Sequence, residues 1–471
     1  MARRGKRDWA PRPPKEGHAD MVLRSFHRVM FIPALMAGSF MVLCLFRPAG
    51  AAANEPGTSE DTASSMNRIA ERYVKLALAV GQHDPLYVDA YHGPEAWQRA
   101  AEKEKMPLEA IEGDAQPLIA ELLRLDCARE EEMTQLRWRF LIKQLESLVS
   151  RVRMLRGDTL PFDEESEALF DAVAPQHEER YFRERLARID ALVPPGDGSL
   201  AERLERYKKD FIIPNDKLDT VFAAAIGEAR RRTTSHITLP ANESFDVEYV
   251  TNKTWSAYNW YKGDCHSVIQ INMDLPKYID AAVGLACHEG YPGHHVRNVL
   301  VESKLAKGRG WIEFTISPLF SPLSPVDEGS ANFGIEVAFP GDERLAFERE
   351  VLYPLAGIDT AKAQSYAVLQ KLLNELNYAR NEAARRYLNG EISAREAAEW
   401  LSTYALMPGE RARKLVAFFT EYRSYVINYY VGYDLVKEYV ERRGGTGDRP
   451  EKRWEEFGAL ISSPRLASGL R

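Results

Sequence analysis

Cysteine is scarce in this chain: four in 471 residues, one of them at position 44. The other three, Cys127, Cys265 and Cys287, are too sparse and too odd in number for a disulfide scaffold. An excess of positive charge is also lacking. The formal net charge is −7, from 62 basic and 69 acidic residues, which argues against a nucleic-acid binder with its basic stripe. No repeat of 20–50 residues and no long low-complexity run is visible. Long hydrophobic runs are missing too, with one exception at 29–46. What remains, 45% hydrophobic and 28% charged residues, suits a large folded core.

The exception sits at the N-terminus. Residues 1–53 hold nine Lys/Arg against three Asp/Glu, leaving 53 basic and 66 acidic residues, a net of −13, for the rest. Arg24 and Arg28 precede the apolar run, and a small-residue stretch ending "AAA" precedes Asn54. Charged start, apolar middle and A-x-A-like end are the parts of a secretory signal peptide. Cleavage after Ala53 and a start at Met21 fit this reading. The run of 18 residues also approaches a membrane span, so an uncleaved inner-membrane anchor is the alternative. Leu43 before Cys44 speaks against a lipoprotein anchor. The expected location is periplasmic or secreted, with any membrane contact confined to this segment.

Residues 54–64 read as a polar linker. From 65 to 443 the pattern predicts a single α-rich body. Apolar residues recur at helical spacing in "MNRIAERYVKLALAV" (66–80) and "REEEMTQLRWRFLIKQLESLVSRVRML" (129–155). "ESFDVEYV" (243–250) and "HSVIQINMDL" (266–275) instead predict two strands, paired with each other. An apolar helix follows, "KYIDAAVGLACHEG" (277–290), without a charge between Asp280 and His288. Residues 444–471 are rich in Gly and charge and read as a loose tail.

Chemistry concentrates in "ACHEGYPGHHV" (286–296), with three histidines and a glutamate within eight residues. Burying such groups beside an apolar helix costs several kcal/mol unless a partner neutralises them. A metal ion does so directly. Two nitrogens on one zinc lie about 3–3.5 Å apart. In a regular helix His295 would share a face with His288, but about 10 Å further along the axis. Pro292, Gly290 and Gly293 predict a bulged or broken helix instead. "YP" then acts as an insertion that turns H-E-x-x-H into His288, Glu289 and His294. His294 is favoured as the second ligand, with His295 as the alternative. The histidine left over becomes a supporting donor or a substrate contact. Cys287, about 100° round the helix from His288, reads as core packing.

Glu289 follows the first ligand directly, where a carboxylate can take a proton from metal-activated water. Glu328, next to Gly329 after a proline-rich loop, is the candidate third ligand, with Asp327 a weaker competitor. Glu336, eight residues on, could orient a ligand histidine from behind.

Together, "HEGYPGHH" (288–295) and "EGSANFGIE" (328–336) resemble a bacterial family of unassigned function with an H-E-x-x-P-G-H-H motif. That family is grouped with the zincin-like, glutamate-ligand metallopeptidases. The chain departs from it at Ser330, where the family usually carries a bulky aromatic. The resemblance implies a mainly α, zincin-like body with a small β-sheet beside the active-site helix. It also implies the 266–275 strand as an edge for an extended peptide. "INYYVGYDL" (427–435) is similar to the tyrosine-rich stretch of thimet-type oligopeptidases. That likeness implies Tyr429, Tyr430 or Tyr433 as oxyanion donor and Arg423 as a contact for a substrate carboxylate.

The expectation is an exported peptidase using one Zn2+ ion, of oligopeptidase or carboxypeptidase type. The alternatives are a non-peptide amidase or esterase with the same metal site, and an inactive periplasmic binding or scaffold protein.

Overall fold

Apolar residues three and four apart bury one face of a helix, and over most of the chain they do so here. In the helix Glu132–Leu155, Leu136, Phe140, Leu141, Leu145, Leu148 and Val152 are buried, the stripe that the spacing predicts. The computed structural model describes residues 59–253 and 255–471. The export segment 1–53 and the first linker residues lie outside the described residues. The fold is mainly α with little strand, as expected. No described helix is long and apolar enough to cross a membrane.

Two small sheets interrupt the helices. β1 (Val88–Tyr91) pairs antiparallel with β5 (Ile316–Pro318). β2 (Ser244–Val250), β3 (Ala257–Gly263) and β4 (His266–Asn272) form the other sheet, in the order β2-β4-β3. The two predicted strands do pair, in parallel, with Val247 opposite Ile269. Between them the chain makes a third strand, β3, which runs antiparallel to β4. This corrects the expected peptide-binding edge. β4 is central and both its edges are taken, so the strand with an outer edge beside the metal-site helices is β3.

Two apolar cores flank the middle of the chain. Ile316 and Phe320 enter one, with the N-terminal helices. Val326, Phe333 and Val337, on the helix Ser324–Ala338, enter the other. Glu328 therefore leaves its helix where the two cores adjoin.

The boundaries at both ends differ from expectation. The first helix begins at Ser59, inside the expected linker. Nothing in "SEDTASS" breaks a helix, and Thr62 is already buried. The expected loose tail is ordered as well. Pro450 opens the helix Pro450–Ile461, a position where its missing N–H costs nothing. Trp454, Phe457, Leu460 and Ile461 are buried from it. Flanking Gly and charge masked that apolar spacing in the sequence. Residues Gly57–Arg471 form one unit, so the body extends past both expected limits.

Phe457 is fully buried, with its ring 6.2 Å from that of Phe333. Phe457→Ala is expected to lower stability by about 3–5 kcal/mol, read as a reduced urea midpoint. An unchanged midpoint would mean that the last helix contributes nothing to the fold.

Candidate metal centre

The helix Ile279–Leu285 passes into a π-turn, Ala286–Gly290, and a second helix starts at His294. Tyr291 N–H donates to the Ala286 carbonyl at 2.9 Å, and Gly293 N–H to that of Cys287 at 2.9 Å. These bonds span five and six residues, so the turn is wider than an α-helix allows. The insertion at Tyr291 and Pro292 is absorbed there. Gly293 cannot be replaced at this point: a Cβ would lie 1.9 Å from the His288 carbonyl oxygen.

The wide turn brings the first and second histidines together. His288 Nε2 and His294 Nε2 are 3.2 Å apart. Glu328 Oε2 lies 3.5 Å from the first and 3.9 Å from the second. All three atoms fall within one small sphere. These separations match nitrogen and oxygen ligands at about 2.0–2.2 Å from one zinc ion. Glu328 Oε2 is buried and makes no hydrogen bond among the described residues. A carboxylate oxygen so placed has room for a ligand closer than the His288 ring. The side chains of His288 and His294 keep 16% and 20% exposure, so a ligand position stays open to water.

Neighbouring groups fix the orientation of these ligands. Asn332 Nδ2 donates to the Tyr429 carbonyl at 3.1 Å. Its Oδ1 therefore faces His288 Nδ1, at 3.0 Å, and accepts from it. With Nδ1 so held, a neutral His288 would keep its proton there and turn the Nε2 lone pair toward His294 and Glu328. Tyr425 OH donates to Glu328 Oε1 at 3.1 Å, which leaves Oε2 facing the two histidines. The helix Ser324–Ala338 reaches these tyrosines through a close backbone crossing. A Cβ on Gly329 would lie 2.2 Å from the Gly432 backbone.

Electrostatics favour one positive charge here. Burial pulls the His288 imidazole down, but Glu328 and Glu289 outweigh it and raise it to about 9. Burial, together with the charge on His288, pushes His294 down to about 4. A pair in which one imidazole holds a proton and the other refuses it has room for one cation. Burial would raise Glu328, but the close approach of His288 and the charges of both histidines hold it low. Burial pushes Glu289 up to about 7, helped by Glu328 and opposed by His288. The Glu289 carboxyl is 5% exposed. Its backbone carbonyl accepts from Asn259 Nδ2 on β3 at 2.7 Å.

Several sequence expectations need correction. His295 is fully buried and both its nitrogens are occupied. Nε2 bonds Glu243 at 3.1 Å and Nδ1 bonds Ser267 at 2.9 Å. It pins the second helix to the sheet and is neither a metal ligand nor a substrate contact. Glu336 pairs with Tyr433 and Lys437. Eight residues carry it too far along the helix to support a histidine, and Asn332, one turn from Glu328, does so instead. Asp327 pairs with Arg297. Arg423 Nε donates to the buried Glu165 at 2.6 Å, so its guanidinium is not free for a substrate. The Tyr430 hydroxyl accepts from Arg380 at 2.7 Å. Tyr429 is the tyrosine that shares the field of Glu328 and Glu289, and burial, then those charges, raise its hydroxyl well above the usual range. Cys287 is buried in the apolar core, as expected.

Sequence reasoning missed Asn332, Tyr425, Asp89 and Tyr258. Asn332 had a signal, the i+4 spacing from Glu328. Tyr258 on β3 donates to Asp89 on β1. Burial raises Asp89 to about 6 despite that bond, and Glu328 adds to the shift.

No protein-family model and no curated protein sequence matches the chain. Among solved structures, it is similar to a candidate lipoprotein from Colwellia psychrerythraea at 14% identity and TM-score 0.47, covering 88% of this chain and 75% of that one. A structure described as BsuCP aligns at 11% identity and TM-score 0.43, over 86% of this chain and 88% of that one. A candidate lipoprotein of unknown function from Shewanella oneidensis aligns at 12% identity and TM-score 0.41, over 79% and 75%.

Asn332→Ala is expected to weaken zinc binding about 10–100-fold in competition with a chromogenic chelator, whereas Glu336→Gln leaves it unchanged. Equal affinities for Asn332→Ala and the parent would remove Asn332 from its orienting role.

Proposed function

We propose that this chain is an exported zinc-dependent peptidase. The observation that carries the reading is the convergence of His288 Nε2, His294 Nε2 and a Glu328 Oε2 that makes no hydrogen bond among the described residues, with Glu289 adjoining His288 in sequence. The donor set, two imidazoles and a carboxylate with access to water, fits zinc at a catalytic rather than a structural site. The two histidines and Glu328 would hold the ion. When bound, zinc supplies a Lewis acid that makes water acidic near neutral pH.

The chain's own residues do the rest. Glu289 accepts a proton from the attacking water and delivers it to the leaving amine. Burial suits it to both steps, since a carboxyl raised to about 7 both takes and gives a proton at neutral pH. Tyr429 retains its proton at any physiological pH and donates a hydrogen bond to the developing oxyanion. Asn332 and Tyr425 hold the ligand atoms in place. The outer edge of β3, reached through Asn259 and Tyr258, offers backbone groups to an extended peptide. Export rests on the N-terminal sequence, with its charged start, apolar run and small-residue end.

The test separates metal from chemistry. His288→Ala is expected to lose zinc and activity together. Glu289→Gln is expected to keep one zinc per chain and lose about 10²–10⁴-fold in kcat on a panel of short peptides. A Glu289→Gln protein as active as the parent would overturn the assignment.

A further inference from the structure

Near the candidate metal centre lies a second cluster, of cations that no carboxylate pairs directly. Lys277 is 6% exposed, and among the described residues its ammonium donates only to the carbonyl and hydroxyl of Ser256, both at 3.3 Å. No carboxylate pairs with it among the described residues. A buried ammonium without a counter-ion costs several kcal/mol. Arg411, on the helix Gly409–Tyr422, makes no hydrogen bond or ion pair among the described residues, although it reaches solvent. It feels the charge of Arg380 and the hydroxyls of Tyr278 and Tyr430, and enough protein surrounds it for desolvation to lower its guanidinium. Arg380 donates Nη1 to Tyr430, but its buried Nε has no partner. Lys208 sits over the Tyr278 ring at 4.1 Å and likewise lacks an ion pair.

Burial lowers Lys277 to about 8, and Arg411 adds to the shift. The nearby acids do not relieve this. Glu205 pulls on Arg411 without pairing with it. Asp274 is bonded to the backbone of Asn252 and Lys253, and Asp280 accepts from Tyr366. Four cations face three acids here, none of them ion-paired to a cation of the group among the described residues, and one more anion would balance the cluster.

The cluster adjoins the proposed active site on two sides. Tyr430, which binds Arg380, follows Tyr429, whose carbonyl anchors the Asn332 that holds His288. Ser256, which holds Lys277, lies two residues before Tyr258. That is about 7 Å of extended chain, and Tyr258 shares the field of Glu328 and Tyr429. We propose that Lys277, Arg411 and Arg380 form a subsite for the free C-terminal carboxylate of the peptide substrate, so that cleavage falls near the C-terminal end. Planar guanidinium forks and a compact ammonium together suit a carboxylate. The assignment rests on the peptidase reading above.

The test uses zinc-loaded enzyme and two peptides that differ only in ending as a free acid or a carboxamide. The free acid is expected to be cut with kcat/KM about 30-fold higher, mainly through KM. Arg411→Gln and Lys277→Met are expected to bring the ratio near one, and Arg411→Lys to restore part of it. Zinc content and circular dichroism confirm that the variants fold. Equal cleavage of acid and amide by the parent overturns the subsite and leaves the peptidase reading standing. An amidated peptide with a glutamate near its end, if cut as well as the free acid, overturns the terminal-carboxylate assignment in favour of an acidic side chain. Should no peptide be cut, anisotropy titration of the Glu289→Gln protein with both peptides decides. Tighter binding of the acid, lost in Arg411→Gln, supports the subsite and topples the peptidase reading. Equal binding overturns both.

Discussion

Between Ala286 and Gly293 the backbone cannot follow an α-helix and still bring His288 to His294. Six residues along a regular helix separate two side chains by about 9 Å and most of a half-turn. The π-turn and the wide hydrogen bonds from Tyr291 and Gly293 close that gap to 3.2 Å between nitrogens. The same displacement sends His295 into the sheet, where Glu243 and Ser267 occupy it. One local departure thus assigns the two adjacent histidines to different tasks. Gly293 is the residue that permits it, because the carbonyls of Cys287 and His288 fill the space a side chain would need.

That geometry has an electrostatic consequence. Two imidazoles and two carboxylates share a small, largely buried volume. In the field of Glu328 and Glu289 one imidazole holds a proton tightly and the other excludes it. A divalent ion in place of that proton would satisfy the lone pairs of both rings and the Glu328 oxygen that makes no hydrogen bond. The helix Ser324–Ala338 supports this from below. Its glycine crossing with Gly432 sets the distance at which Tyr425 reaches Glu328 and Asn332 reaches Tyr429. Ser330 is buried on this helix and bonds back to the Asp327 carbonyl. The small residue at that position leaves the crossing undisturbed.

What the sequence reveals and conceals here follows a physical line. The break at Pro292 and the convergence of His288, His294 and Glu328 were legible, because proline, glycine and ligand chemistry act locally. The long amphipathic helices were legible through their 3.6-residue period. β3 was not, because an edge strand with Asn259 and Lys262 lacks a buried alternating face. The roles of Arg423, Glu336 and Asp327 were not, because each charge meets a partner remote in sequence: Glu165, Lys437 and Arg297. A side chain's composition shows what it can bind, and only tertiary packing decides which partner arrives first. The same reason hid the unpaired cations. An arginine is conspicuous in a sequence, while the missing carboxylate beside it is not.

These observations meet along β3. Toward one end of the strand Ser256 carries Lys277, and Arg411 lies within reach of it. At Tyr258 the strand touches Asp89, an acid raised to about 6 by burial and by the field of Glu328. At Asn259 it holds the backbone of Glu289. The strand therefore runs from a cationic end past an acidic centre. On the proposed peptidase reading, a peptide whose carboxylate sat at Lys277 would lie antiparallel to β3. Its amino end is then drawn toward the acids rather than the lysine. Charge alone sets that direction, since the reverse orientation would place an ammonium among Lys277, Arg411 and Arg380. A polarised cleft of this kind selects orientation before it selects side chains.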